Sequence, residues 1–297
     1  MTTWRADGDV VLPGAVHYTL STGDAPTDQW HVSVSMPSPM FRDIAGPGPW
    51  PTLYVLDAPL TFLITAQIAQ NAMGLAAGQM RPVVIVGIVR APASNDFQAF
   101  DEHRNHDLTP TTFVPPLLEG SVPHGTGGAD TTLDLITKEI APYLEDRHAL
   151  DPADRGIAGL SLSGLTTCWA LLTRPNEFRR YLAVSPAIHW DYHLLLDETR
   201  LPAVPAPQAQ VYLAVGENEE DHVREWPVAP PEAVELADSD MKMVSDTLSL
   251  ADRLRRAGTD VRTEVIADEN HQTVWPAAVT RGLIHLYQAH RFSGAGH

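Results

Sequence analysis

A chain of 297 residues with 44% hydrophobic side chains can bury one large core, and α/β folds of this size commonly form one domain, so a second domain is not required. A formal charge of −17 argues against a nucleic-acid backbone as partner, because that affinity comes mostly from many Lys and Arg side chains on phosphates. No apolar run of about 18 residues exists, the opening MTTWRADGDV lacks a basic-then-apolar leader pattern, and the lone cysteine, Cys168, makes no internal disulfide; a soluble cytoplasmic protein without a membrane partner is expected.

Residues 29–36, QWHVSVSM, alternate polar and apolar side chains, as a strand with one buried face does, and are expected to pair antiparallel with residues 17–21 near a sheet edge. Residues 52–56 and 83–89 are apolar throughout, like parallel strands covered on both faces. Between them residues 60–79 have helical spacing and stand where a parallel pair needs its crossover. Residues 91–128 lose this periodicity in a stretch rich in Pro, Gly, His and Asp, expected to form a long loop, either functional or partly disordered. A helix over 131–148, a strand over 155–160, a helix over 164–173 and strands over 181–184 and 211–215 follow. A helix over 232–257, a strand over 261–266 and a helix over 274–290 complete the alternation, and residues 293–297 read as a frayed tail. This order predicts an α/β fold: a mostly parallel, doubly wound sheet with N-terminal antiparallel edge strands. It is expected to be a single domain over 1–297, with excursions at 91–128 and 218–231.

Within RGIAGLSLSGL, Gly159-Leu160-Ser161-Leu162-Ser163-Gly164 almost spells the Gly-x-Ser-x-Gly of a nucleophile elbow. A serine hydroxyl reacts at neutral pH only when it is exposed, aligned with a base and set beside donors for an oxyanion. A tight strand-to-helix turn supplies all three, and it crowds the chain so that the residues two before and two after the nucleophile must be small. Ser161 meets that condition with Gly159 and Ser163, whereas Ser163 would have Leu165 in one of those places. Ser163 is therefore expected to cap or pack in the first helical turn.

The base and acid should follow the nucleophile in the chain. His271, in the polar loop after the strand at 261–266, can reach the end of the sheet where Ser161 is presented, while His285 and His290 fall within a helix. The strand at 211–215 ends in Gly216 and is followed by four carboxylates, Glu217, Glu219, Glu220 and Asp221, any of which could orient the histidine; Glu219, three residues past Gly216, is preferred because a short reach from the strand end aims it at the neighbouring loop. For the oxyanion hole, backbone N–H groups of Leu162 and of Asp57 or Ala58, at the end of the first apolar parallel strand, are the candidates.

In order along the chain, Tyr54-Val55-Leu56-Asp57, Arg104-Asn105-His106-Asp107-Leu108-Thr109-Pro110, Ala158 to Gly164, Val184-Ser185-Pro186, Val215 to Glu219 and Glu269-Asn270-His271 resemble the esterase D-like branch of the α/β hydrolases, with its enterobactin-type siderophore trilactone esterases. The resemblance implies an α/β-hydrolase fold, Ser161 as nucleophile and His271 as general base. It also implies a substrate-bordering loop before Asp107 in which Arg104 anchors an anion or carbonyl; an ion pair of Arg104 with Asp107 or Glu102 is the alternative. Trp190 and Trp275 are candidate aromatic walls, or core residues. The chain departs from the family in Ser163 and Ala58, where glycine is usual, and in Gln272-Thr273, where glycine and serine are; some siderophore esterases resemble Ser/His dyads, which would make the acid dispensable. Many iron–siderophore complexes are anionic and this chain is acidic, so a local basic pocket is called for, with Arg90 and Arg104 as its suppliers.

The function expected is a serine carboxylic-ester hydrolase acting on a siderophore lactone or similar bulky ester through an acyl-enzyme, with no metal or organic cofactor. Acyl transfer and thioester hydrolysis use the same machinery. Metal-dependent hydrolysis at His103, His106, Asp107 and His124, and a non-catalytic small-molecule binding protein, are the readings of other classes.

Overall fold

A computed structural model describes residues 12–25, 28–74, 80–115, 119–120, 122–202, 206–220 and 242–288. Among these residues eight strands form one sheet in the order β1-β2-β4-β3-β5-β6-β7-β8. β1 (Ala15–Ser21) pairs antiparallel with β2 (Gln29–Ser35), which pairs antiparallel with β4 (Val84–Arg90). From β4 the sheet is parallel through β3 (Trp50–Leu56), β5 (Leu150–Leu160), β6 (Arg180–Val184), β7 (Gln210–Gly216) and β8 (Asp260–Ile266). The α/β architecture expected from the alternation of patterns, antiparallel edge strands included, is the one observed.

The apolar strands are explained by burial on both faces. In β3, Leu53 and Val55 join one core while Tyr54 and Leu56 join the other; in β7, Tyr212 and Ala214 oppose Val211 and Leu213 in the same way. The first core is closed by α2 (Ala58–Gly74) and by α8 (Val274–Leu286), through Phe62, Ala66, Ala69, Ala278, Val279 and Leu283. The second lies under α4 (Ala129–Asp134), a π turn at Leu135–Ile140, α5 (Ala141–Arg147), α6 (Leu162–Thr173) and α7 (Met243–Arg256). A one-turn helix, α1 (Arg42–Ala45), precedes β3. The helix expected over 60–79 thus starts at Ala58, and its last five positions lie outside the described residues, as do 221–241 and with them most of the 218–231 excursion and the front of the helix expected over 232–257.

One expectation is overturned. The stretch 91–128 is not loop throughout: α3 (Phe97–Asp107) occupies its centre, with Asp96 accepting the Ala99 N–H at 3.1 Å as N-cap. Its buried face is Phe100, His103 and Asp107, which have helical spacing but are mostly polar, so hydrophobic periodicity does not mark them. β5 also begins at Leu150, earlier than its apolar core suggests.

Candidate active site

The turn between β5 and α6 carries Ser161 at φ 63° and ψ −118°, a conformation that non-glycine residues rarely adopt. The neighbouring strand end holds it there: the Ser161 N–H donates to the Val184 carbonyl at 3.1 Å, and the Ser161 carbonyl accepts from Ala187 N–H at 3.1 Å and Leu165 N–H at 2.8 Å. Crowding at the bend is severe. A Cβ at Gly159 would lie 2.3 Å from the Ser163 carbonyl carbon, and one at Gly164 would lie 2.9 Å from the Val184 carbonyl oxygen. The Ser161 side chain is partly exposed, whereas Ser163 is fully buried. Ser163 Oγ accepts the Leu160 N–H at 2.8 Å and donates toward Asp57 Oδ2 and the Leu160 carbonyl, each at 2.8 Å.

β6, β7 and β8 run parallel beside β5, so their C-terminal ends meet at one edge of the sheet with Ser161. Glu219, in the turn after β7, is completely buried, and its Oε2 lies 2.6 Å from His271 Nδ1 in the loop after β8. Its other oxygen, Oε1, accepts from Ser185 Oγ at 2.6 Å and from the Gly216 N–H at 2.7 Å. Burial pushes this carboxyl up, but the hydrogen bond and charge of His271, with the Ser185 and Gly216 donors, hold it below its ordinary value. It is therefore an anion aimed at one imidazole nitrogen. The two loops are also tied by main chain, with Asn218 N–H on the Glu269 carbonyl at 3.0 Å. The neighbouring carboxylates go elsewhere: Glu217 accepts from Asp268 N–H and Glu220 from Ser245, while Asp221 lies outside the described residues.

The third wall comes from the end of β3. Asp57 has φ 55°, and the chain turns there into α2, whose first residue is Ala58. Ala58 and Leu162 are thus each the first residue of a helix, where N–H groups have no partner within the helix. Asp57 itself is buried and clamps Arg104, with Nη2 to Oδ2 at 2.9 Å and Nε to Oδ1 at 3.3 Å. The ion pair of Arg104 is therefore with Asp57, and neither Asp107 nor Glu102 is its partner in that pair. Asp107 instead receives Arg90, with Nε to Oδ2 at 2.8 Å and Nη2 to Oδ1 at 2.6 Å.

The two tryptophans are not exposed walls. Trp275 is 3% exposed in the core beneath α8, and Trp190 is 2% exposed with its Nε1–H on Thr111 Oγ1 at 3.0 Å. The second position of a helix that packs on the sheet points Trp275 inward; Trp190 is drawn down by its packing in the opposite core. His193, at the end of a helical turn over Trp190–His193, places its Nε2 3.2 Å from Asp246 Oδ2 on α7. Among the described residues no group of three or more His, Cys, Asp or Glu side chains is arranged to hold a metal ion.

Residues 24–286 match the family described as Putative esterase. The chain belongs to that esterase family. The triacetylfusarinine C siderophore esterase of Aspergillus fumigatus is 27% identical over 97% of this chain and 98% of its own length. The ferri-bacillibactin esterase of Bacillus subtilis is 30% identical over 65% of this chain and 67% of its own. Among solved structures, a siderophore hydrolase from Aspergillus nidulans superposes with a TM-score of 0.77 at 22% identity, over 96% of this chain and 99% of that one, which establishes a shared fold.

For an esterase, the residues that sequence reasoning passed over are those that brace the site. Ser185, with φ 42° and no exposure, hydrogen-bonds the Glu219 carboxylate; a serine directly after a buried parallel strand and before Pro186 was the available signal. Asp57, expected to matter through its backbone, makes its visible contacts through its side chain, joining Ser163 in the elbow to Arg104 on α3. No helix among the described residues is long and apolar enough to cross a membrane.

Proposed function

We propose that this esterase hydrolyses a siderophore lactone or a similarly bulky ester through an acyl-enzyme on Ser161. The single observation that carries the reading is the buried Glu219 carboxyl at 2.6 Å from His271 Nδ1, at the strand ends shared with a strained serine turn. With Nδ1 held by Glu219, His271 works through Nε2: it takes the Ser161 proton as Oγ attacks the carbonyl, then gives it to the departing alkoxide. Water, activated by the same nitrogen, releases the acyl group. The oxyanion is stabilised by the N–H of Leu162 and that of Asp57 or Ala58, each worth about 3 kcal/mol in the transition state. No metal or organic cofactor has a step in this scheme.

The substrate class is supported by relatives that are siderophore esterases of Aspergillus fumigatus and Bacillus subtilis. A cytoplasmic location belongs to the same proposal and rests on the lone, buried thiol of Cys168. The test is a serine-directed phosphonate followed by intact mass and peptide mapping, beside turnover of a trilactone. One adduct at Ser161, absent from Ser161→Ala together with turnover, is the expected result; labelling at Ser163, or undiminished turnover in Ser161→Ala, overturns it.

A further inference from the structure

Beside α3 lies a cavity of about 280 Å³ bounded by Arg90, His103, His106 and His124. In a chain of charge −17, a cavity whose described lining residues are all basic runs against the surface as a whole. The rings of His103 and His124 stack with centroids 4.3 Å apart and planes 2° from parallel. Two imidazolium ions at that spacing repel each other unless an anion lies against them. Burial, and then the nearness of His124, hold His103 below its ordinary value, and an anion set against its ring would favour the protonated form.

The charged groups around the pair are accounted for. Arg90 is neutralised by Asp107, which also accepts from His106 Nδ1 at 2.9 Å, and its guanidinium lies 4.4 Å from the centre of the Trp30 ring. Arg104 is neutralised by Asp57. Glu102 Oε2 is 3.9 Å from His124 Nε2, while its Oε1 accepts from Gln98. Among the described residues, the cavity is thus lined by Arg90 and three histidines, with the Glu102 carboxylate beside His124 at its edge. Arg90 and His103 also line a narrow crevice that reaches Asp57 and Arg104, the residues at the β3 end of the candidate active site.

We propose that this cavity binds an oxyanion, a carboxylate or a sulfate-like group, and takes up a proton on the His103–His124 pair as it does so. Applied to the ester substrate, this rests on the esterase reading above and places the acidic part of the substrate over α3; a free anion would use the same chemistry.

Calorimetric titration of full-length Ser161→Ala with sulfate, whose charge is constant, reads the site without any turnover. Sulfate should bind at least about tenfold more tightly near pH 6 than near pH 8, with proton uptake seen as a buffer-dependent heat. His124→Gln, at the open side of the cavity, and His103→Gln should each abolish that pH dependence; the first keeps the test valid should the second not fold. No binding at the lower pH, equal affinity at both, or an unaltered pH dependence in His124→Gln overturns the site. In the active chain, sulfate that raises KM for a carboxylate-bearing aryl ester without changing kcat, and spares its neutral analogue, assigns the site to substrate. Sulfate that binds yet spares both esters assigns it to a free anion. Loss of the esterase reading would appear as turnover surviving in Ser161→Ala, with sulfate binding unaffected.

Discussion

Glu219 Oε2 and His271 Nδ1 lie 2.6 Å apart although 52 residues separate them, and the carboxylate is entirely buried. An anion so placed fixes which imidazole nitrogen carries the proton and favours the charged ring during proton transfer. Glu219→Gln keeps the shape but offers an amide, which can present its N–H to Nδ1 and select the wrong tautomer. We expect kcat to fall by about 10³- to 10⁴-fold with KM nearly unchanged. Steady-state kinetics on an aryl ester check this; a fall of under about tenfold would make the pair Ser161 and His271 sufficient.

The same carboxyl gives a pH signature. Its folded value is depressed, so its contribution to stability is fully present above the unfolded value of about 4.3 and is lost as pH falls through the folded value. Urea denaturation between about pH 5 and pH 3 should show Glu219→Gln losing less stability than the parent over that interval. An identical loss in both would place the depression elsewhere.

Asp57 joins a buried serine to a cation: Ser163 Oγ at 2.8 Å and Arg104 Nη2 at 2.9 Å. Asp57→Asn keeps the Ser163 hydrogen bond available but leaves Arg104 without its counter-charge, and should cost about 3 kcal/mol of stability, measured from the urea midpoint. Ser163→Ala removes only the hydroxyl and should cost about 1 kcal/mol, since the Leu160 N–H loses its acceptor.

Gly159→Ala tests the bend. Its Cβ would sit 2.3 Å from the Ser163 carbonyl carbon and 2.4 Å from its oxygen, both backbone atoms that cannot swing aside. Activity should drop by at least about 10²-fold because the turn must open, misplacing Oγ by a fraction of an ångström or more. Kinetics and a melting curve together check it; a fully active variant would mean that the bend is less tight than described.

The fold was legible where burial leaves its mark on every residue. The runs at 52–56 and 83–89 are apolar because β3 and β4 are covered on both sides, and the alternation at 29–36 follows from β2 having a wetter face. Ser161 stands directly after the buried end of β5, and His271 is marked out by its polar loop after β8, an edge strand whose burial is only partial. Glu219 could only be narrowed to a cluster of four carboxylates and preferred on reach. What the sequence concealed is contact at long range. Asp57 meets Ser163 across 106 residues and Arg104 across 47, and nothing local records either. α3 was missed because its inner face buries His103 and Asp107, which look like solvent-facing residues until their partners are known.

Among the described residues β8 is the last strand of the sheet and is bonded on one side only, with Val265 43% exposed. The loop bearing His271 hangs from this half-supported rim, while Ser161 is rooted in the interior of the sheet. Gentle warming should therefore loosen the rim first, so that enzymatic turnover declines at temperatures where circular dichroism still reports an intact molecule, and returns on cooling.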